Sequence, residues 1–438
     1  MTRKHDTTVV GAGILVGVAT LLMVAVGGTA IGSATDRPPD AAPAEHSRDS
    51  MPRESDDRSD PKLGIRDANE RALEGLEELQ LARETADPAH YARAEAAFEE
   101  ALSSEPEIVT ALIGKGTLAL ARHRFTDALA LGNRVMRLDP TQSRALGIIG
   151  DAQVELGRYN DAIATVQRMV DTRPDLASYS RVSYLRELHG DLAGAIDAMQ
   201  LAVEAGGPSV ENTEYVRVQL GYLYLARGDL AAAETTFGVA LRHLPHYVHA
   251  TAGLARVRAA QDRLPRAITL FEDAAGRTPL PEFVIALGEA YEASGRTDEA
   301  DDQYAVVEAM VALQRANGVE VDLDLAAFVA DHGDPERAVE LARSAYDRAP
   351  SIRAAAVLAW ALYAAGEFDE AAALADEALR TGWRDVKVLV HAGLIAEAAG
   401  QGRVARDRLE LALELNPTLS LVYAPDAAAA LDVIGAGD

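Results

Sequence analysis

The sequence predicts an all-α protein in which one helical hairpin is repeated along most of its 438 residues. Three observations predict this fold class. An alanine followed by apolar residues at helical intervals recurs every 33, 34 or 38 residues over more than 300 residues. Aromatic residues make up only 5% of the chain, and the abundant small side chains favour close packing of helices. Glycine and proline fall between the apolar runs, where helices are expected to end.

The composition argues against several classes of function. The formal net charge is −26, whereas a nucleic-acid partner requires clustered cations to neutralise phosphates, so we expect no such partner. There is no cysteine, which excludes disulfides, thiolate metal sites and cysteine nucleophiles. The acidic excess is spread along the predicted helices and is typical of solvated faces.

The N-terminal 64 residues differ from the rest of the chain. Residues 1–6 are predicted to be a cytoplasmic basic region, and the uncharged stretch 7–35 is long enough to cross a bilayer as a helix. Small residues at 32–34 also allow a cleaved signal peptide, so a membrane anchor and a secreted protein are both open. Residues 36–64 are rich in Asp, Arg, Ser and Pro and are predicted to form a disordered linker. We therefore expect a single-pass protein of the cell membrane with its repeats outside the cytoplasm, or a secreted form.

The fifth unit shows most fully why these residue types recur. Gly221 leaves space on the first helix where a neighbouring helix must approach. Gly228 is expected to end that helix in a left-handed conformation. Ala233 and Phe237 share one face of the second helix, and Pro245 starts the next unit. The first alanine of this pattern falls at Ala94, Ala128, Ala162, Ala195, Ala233, Ala267, Ala300, Ala338, Ala371 and Ala405.

This pattern resembles the tetratricopeptide repeat family, in which small and large residues alternate on two antiparallel helices of a 34-residue unit. The resemblance covers residues 65–417 and implies a right-handed superhelical solenoid of about ten helix-turn-helix repeats. Residues 418–438 are then a C-terminal cap and tail. The tryptophan that the family carries near the start of the first helix is absent from all units.

The resemblance also implies a concave groove lined by the first helices, in which a partner protein or peptide is bound. Large aromatic and charged side chains at these positions are the expected contacts. Glu155, Glu282 and Arg353 also fall at groove positions. Packing between neighbouring units is an equally plausible role for each aromatic ring. The predicted groove residues are Tyr184, Glu187, Tyr215, Tyr222, Arg256, Glu289, Trp360 and Tyr363.

The resemblance limits the chemistry of the partner. Some members of the family hold a terminal carboxylate with lysines of successive first helices, but the first helices here carry only Lys115 and Lys387. With so much Glu and Asp nearby, a neutral or basic partner is expected. The resulting hypothesis is a non-catalytic protein-interaction scaffold outside the cytoplasmic membrane. The alternative is an extracytoplasmic repeat protein that binds carbohydrate or a small ligand in an export or envelope-assembly system.

No pattern in the sequence predicts catalysis, a cofactor or a metal site. The motifs of serine hydrolases, zinc proteases and phosphate-binding loops are missing. His243, His246 and His249 are spaced for a metal, but Pro245 interrupts the helix, which favours a turn between units. The alternating acids Glu320, Asp322 and Asp324 lack the glycine and closing glutamate of a calcium loop and are interpreted as a polar helix start.

Overall fold

The computed structural model describes residues 61–207, 209–416 and 427–432. Within 61–416 the described chain forms twenty α-helices and no strand, which pair into ten antiparallel hairpins. The first five hairpins are α1 (Pro61–Thr85) with α2 (Ala89–Ser104), α3 (Val109–Ala121) with α4 (Phe125–Leu138), α5 (Ser143–Glu155) with α6 (Tyr159–Thr172), α7 (Leu176–Leu188) with α8 (Leu192–Ala205), and α9 (Val210–Ala226) with α10 (Leu230–His243). The last five are α11 (Val248–Ala260) with α12 (Leu264–Arg277), α13 (Pro281–Ala293) with α14 (Thr297–Ala316), α15 (Asp322–His332) with α16 (Pro335–Arg348), α17 (Ile352–Ala364) with α18 (Phe368–Ala378), and α19 (Val386–Ala398) with α20 (Gly402–Leu415).

The all-α repeat architecture predicted from the sequence is confirmed. All ten alanines of the repeat pattern lie on the second helices and are at most 1% exposed. Gly228 adopts the expected left-handed conformation, with φ of +77°. Phe237 is fully buried between Gly221 of its own hairpin and Gly253 of the next, where any side chain would overlap the phenyl ring. Glycines of neighbouring first helices are thus sockets for a large side chain of the second helix, as for Phe98, Phe237, Tyr304 and Leu409.

The ends of the array are only partly described. Helix α1 begins at Pro61, four residues inside the predicted linker. Residues 427–432 are helical, and Ala427 packs against Leu389 and Leu409 of the last hairpin. The predicted regions 1–6 and 7–35, and the linker up to residue 60, lie outside the described residues, as does most of the C-terminal segment.

One prediction is overturned here. Among the helices that the structure describes, none is both long and apolar enough to span a membrane. Helices α1 and α14 have sufficient length, with 25 and 20 residues, but both carry charged side chains along their length. A single-pass membrane protein is therefore not supported, and we withdraw that localisation. The segment 7–35, on which the prediction was based, is outside the described residues.

Successive turns of the superhelix contact each other directly. The Tyr159 hydroxyl accepts a hydrogen bond from the backbone N–H of Ile352 at 2.8 Å, 193 residues further along the chain. The Thr381 hydroxyl donates to the carbonyl oxygen of Leu188 at 2.5 Å, again across 193 residues. With units of about 34 residues, these separations place between five and six hairpins in one turn. The row of contacts between turns is called the seam below.

The seam continues above and below these two contacts. His123 Nδ1 lies 2.7 Å from the carbonyl oxygen of Glu320, and Asn416 Nδ2 donates to the carbonyl oxygen of Leu225 at 2.7 Å. One apolar core also joins the two turns, since all its buried members fall within residues 68–118 or 284–395. Successive turns of the superhelix are therefore packed against each other along its axis. The concave face of one turn lies next to the following turn.

Candidate functional site

Closure of the turns converts the concave face into an internal cavity of about 610 Å³, called the lumen cavity below. Its walls come largely from the first helices of the hairpins, as the family geometry leads one to expect. Apolar side chains form part of the lining, among them Ile285, Val311, Leu325 and Phe328. A cavity of this size is typical of sites for small molecules or short chain segments.

Three residues that line this cavity, Arg83, Tyr215 and Arg256, have hydrogen-bond donor atoms without an acceptor. Arg83 at the end of α1 donates through Nη2 to Asn212 Oδ1 at 2.6 Å and to the Glu211 carboxylate, 128 residues away. Its Nε and Nη1 atoms, the Tyr215 hydroxyl and Arg256 Nε make no hydrogen bond within the described residues. Because unpaired buried donors are costly, these atoms indicate a place where a ligand supplies acceptors.

Arg256 is held by aromatic rings rather than by a carboxylate. Its guanidinium lies 5.8 Å from the ring centres of both Tyr222 and Phe271, and the side chain is 8% exposed. Cation–π contacts of this kind compensate part of the cost of burying the charge. The arginine is thereby fixed at the cavity wall with Nε still available.

Two glutamates of the cavity wall have perturbed acidity. Glu155 is 3% exposed, and burial raises its pKa to about 7. The nearby charge of Arg353 opposes this shift, whereas Asp151 and Asp324 add to it. Burial also raises the pKa of Glu282. Among the described residues, Glu155 Oε1 has no hydrogen-bond partner, so this acid is poised to interact with a ligand.

A packed aromatic cluster supports one side of the cavity. His249 contacts the rings of Tyr215 and Phe283 at centroid distances of 5.8 and 5.5 Å. Burial lowers the pKa of His249 to about 4, so its ring is neutral near pH 7. His243 instead lies 2.7 Å from a carboxylate oxygen of Glu214. The histidines of this segment thus have separate surroundings, and the described residues contain no group of three or more potential ligands that could hold a metal.

A second cavity of about 70 Å³ adjoins the first and is called the small cavity below. Both tryptophans of the chain, Trp360 and Trp383, line it. Trp360 stacks on His391 at a centroid distance of 3.6 Å and donates from Nε1 to Asp331 at 2.7 Å. Burial, reinforced by the charge of Asp385, raises the pKa of Glu187 in this cavity to about 7.

The structure divides the eight predicted groove residues into three groups. Those that line the lumen cavity are Tyr215, Arg256 and Glu289. Those that line the small cavity are Tyr184, Glu187 and Trp360. Those that line neither described cavity are Tyr222 and Tyr363. Tyr222 packs edge-on against Phe237 of α10. Tyr363 stacks on Trp360 of its own helix and contacts Phe368 of α18, so packing accounts for both rings.

Sequence reasoning overlooked Arg83 and did not foresee that Asp324 also lines the cavity. Arg83 lies in the irregular first hairpin, and its partners Glu211 and Asn212 are too distant in sequence to give a local signal. Asp324 lies near the start of α15, as the interpretation of a polar helix start required, but it also lines the lumen cavity. Its charge acts on both Glu155 and Glu282. A mapping of groove positions onto the eighth unit would have drawn attention to Asp324.

Comparisons with known proteins agree on one family. Two family models, both described as tetratricopeptide repeat, match the chain, one at residues 119–187 and 224–283 and the other at 79–143 and 329–386. Together they cover just over half of the chain. The peroxisomal targeting signal receptor of Komagataella phaffii is 33% identical over 88 residues, which are 20% of this chain and 15% of the receptor. The chain thus spans only a small part of that relative.

Solved structures of helical repeat proteins are also similar. A human IFIT1 dimer with PPP-AAAA is 15% identical, with a TM-score of 0.43, and the alignment covers 81% of this chain and 95% of that one. YrrB, described as a TPR protein with an unusual peptide-binding site, is 19% identical with a TM-score of 0.31, over 45% of this chain and 98% of its own. At such identities and TM-scores, neither structure bears on the ligand of this chain.

Proposed function

Because this chain belongs to the tetratricopeptide repeat family, we propose that it is a protein-interaction module that binds a segment of a partner protein inside its superhelix. Proteins built from these repeats generally mediate protein–protein interactions, and their scaffold is generally non-catalytic. The partner segment occupies the lumen cavity, where Tyr215, Arg256 and Glu289 contact it. Tyr184, Glu187 and Trp360 receive an adjoining group in the small cavity.

The observation that carries this proposal is the convergence of unpartnered polar atoms on one concave, partly apolar space. Arg83, Glu155, Tyr215 and Arg256 all face the lumen cavity, and each has a buried polar atom without a partner in the described chain. In a purely structural core such atoms would be paired or replaced by apolar groups. A main chain has both N–H donors and carbonyl acceptors, so a peptide segment can satisfy both kinds of atom.

The closed seam determines how much of the partner enters. The two turns are held together by backbone and side-chain hydrogen bonds, so the cavity has no room for a folded domain. An extended segment or a loop of the partner is therefore the ligand. The remainder of the partner stays outside the superhelix.

The test is selection of phage-displayed random dodecapeptides on the full chain, followed by binding measurements with two matched variants. Ile285→Trp places a larger side chain on the wall of the lumen cavity. Ile163→Trp makes the same change on α6, where Ile163 is 44% exposed on the outer surface. Selected peptides should bind the parent chain and Ile163→Trp equally, and Ile285→Trp at least tenfold more weakly. Equal binding by both variants, with folding verified by circular dichroism, would refute a site in the lumen.

A further inference from the structure

Three carboxylates of the lumen cavity have no cation of their own. Glu155, Glu282 and Asp324 come from three different first helices, α5, α13 and α15. Within the described residues none of them lies within 4.0 Å of an arginine, lysine or histidine nitrogen. Asp324 is a charge neighbour of both glutamates and disfavours their ionised forms. Like charges kept this close, with no cation at ion-pair distance, lower the stability of the empty site.

The arginines of the cavity do not neutralise these acids. Arg83 is paired with Glu211, and Arg256 lies against two aromatic rings. Arg353 is a charge neighbour of Glu155 but makes no ion pair with any described residue. Among the cavity-lining groups that form no ion pair with a described residue, four carboxylates therefore face three guanidinium groups. The carboxylates belong to Asp127, Glu155, Glu282 and Asp324, and the guanidinium groups to Arg124, Arg256 and Arg353. The balance favours a ligand with one positive charge.

A metal ion does not fit this arrangement. Metal sites need three or more oxygen or nitrogen ligands within about 2–2.6 Å of one point. No such group of His, Asp or Glu occurs in the described residues. Carboxylates that are spaced more widely around a cavity suit a polyatomic cation on a flexible stem, such as an ammonium or guanidinium group.

The donor atoms without an acceptor indicate which hydrogen-bond acceptors the rest of the ligand supplies. Arg83 Nε and Nη1, Arg256 Nε and the Tyr215 hydroxyl require acceptors that are not themselves strongly charged, since Glu282 already lies among them. Glu282 is a charge neighbour of both Tyr215 and Arg256. Main-chain carbonyl oxygens of a peptide meet this requirement.

From these observations we infer that the lumen cavity is a subsite for a lysine or arginine side chain of the partner segment. The cationic head lies among Glu155, Glu282 and Asp324, and carbonyl oxygens of the flanking residues accept hydrogen bonds from Arg83, Arg256 and Tyr215. The apolar wall contacts the methylene stem of the basic side chain. This inference rests on the proposed function and adds the chemical class of the bound residue.

The test uses the full chain and two pools of terminally blocked pentapeptides. In one pool the central residue is lysine, in the other norleucine, and the four flanking positions are random. Peptides retained by the immobilised chain are quantified by mass spectrometry. The lysine pool should be retained at least tenfold better, because its ammonium group forms charge-assisted hydrogen bonds with the carboxylates of the cavity.

Three variants decide whether the cavity is responsible. Glu155→Gln and Asp324→Asn should each remove most of the preference for lysine, since both keep the shape of the wall but delete a charge. Glu340→Gln deletes a charge on the exposed side of α16 and should leave the preference unchanged. Circular dichroism verifies that each variant is folded.

Several outcomes would overturn the inference. They are equal retention of the two pools, retention of neither, a lysine preference that survives both cavity substitutions, or one that falls equally in Glu340→Gln. If phage-selected peptides nevertheless depend on Ile285, the proposed function stands and only the basic subsite is wrong. If they do not depend on Ile285, the proposed function itself fails.

Discussion

The seam makes a sharp prediction at the turn between α7 and α8. Gly190 has φ of +76°, and a methyl group built there overlaps the carbonyl oxygen of Gly382, on the next superhelical turn, by about 1 Å. Gly190→Ala therefore imposes two costs, a left-handed alanine and a forced separation of the turns. The equivalent glycine of the seventh hairpin, Gly295, has φ of +78° but no atom within 4 Å of the added methyl group. Gly295→Ala is thus a control with the same backbone strain and no seam.

The size of the stability loss follows from the contacts around Gly190 and Gly382. The left-handed conformation costs an alanine roughly 1–2 kcal/mol in either variant. Separation of the turns by about 1 Å would stretch the 2.5 Å hydrogen bond from Thr381 to Leu188 to about 3.5 Å, a loss of about 1 kcal/mol. It would also loosen the half-buried Trp383, which packs beside Leu188, for about a further 1 kcal/mol. Gly190→Ala should therefore be less stable than Gly295→Ala by about 2 kcal/mol.

Two assays measure this difference. Urea unfolding gives the stability of each variant, and hydrogen exchange read by mass spectrometry reports residues 186–192 and 379–386 locally. Tryptophan emission adds a third readout, because Trp383 directly follows the residue that is displaced and should shift to longer wavelength in Gly190→Ala alone. Equal stability losses, with equal exchange on both sides of the seam, would refute the view that the turns are tightly packed.

Three further predictions concern the core, the acid in the lumen and the end of the seam. Phe237→Ala should lose about 3–5 kcal/mol in urea unfolding, because the ring is fully buried, whereas Phe368→Ala, at a position 38% exposed, should lose far less; similar losses would contradict the socket model. Burial raises the pKa of Glu155 from 4.5 to about 7, so the folded chain binds more protons between these values and its stability falls as pH rises through that window. Glu155→Gln should flatten this slope and stabilise the chain by up to about 3 kcal/mol near pH 8. Urea unfolding at pH 4.5 and at pH 8 measures the slope, and an unchanged slope would contradict the burial of this acid. Asn416→Ala should cost about 1–3 kcal/mol and speed exchange near Leu225, whose carbonyl oxygen loses its buried donor; exchange confined to the C-terminal hairpin would argue against the contact.

The sequence specified the repeat because each hairpin is defined by short-range patterns. Ala233 and Phe237 share a helical face, Gly228 needs a left-handed conformation, and Gly221 must leave room for a ring. Each of these requirements involves residues of one unit or its neighbour. A periodic sequence therefore predicts the hairpins, their order and their number.

The contents of the site could be anticipated only in part. Family geometry directed attention to positions on first helices, and of the predicted residues Tyr215, Arg256 and Glu289 line the lumen cavity. It could not distinguish a ring that faces the cavity from one that packs against a neighbouring helix, as Tyr222 does against Phe237 and Tyr363 against Phe368. Both kinds of position have the same spacing along a helix, and only the rotation of each helix against its neighbours separates them.

The sequence alone thus determined an all-α array of about ten hairpins and the buried face of each helix. A neutral or basic partner remains an expectation from its composition. The tertiary structure decided that the superhelix closes on itself, that the groove is an internal cavity, and that Arg83 and Asp324 belong to it. The physical reason is distance along the chain. Contacts such as Ile352 with Tyr159 join residues 193 positions apart, and they arise from the small rotation that every unit adds to the last. No single repeat has a sequence pattern that reveals the total rotation of the array.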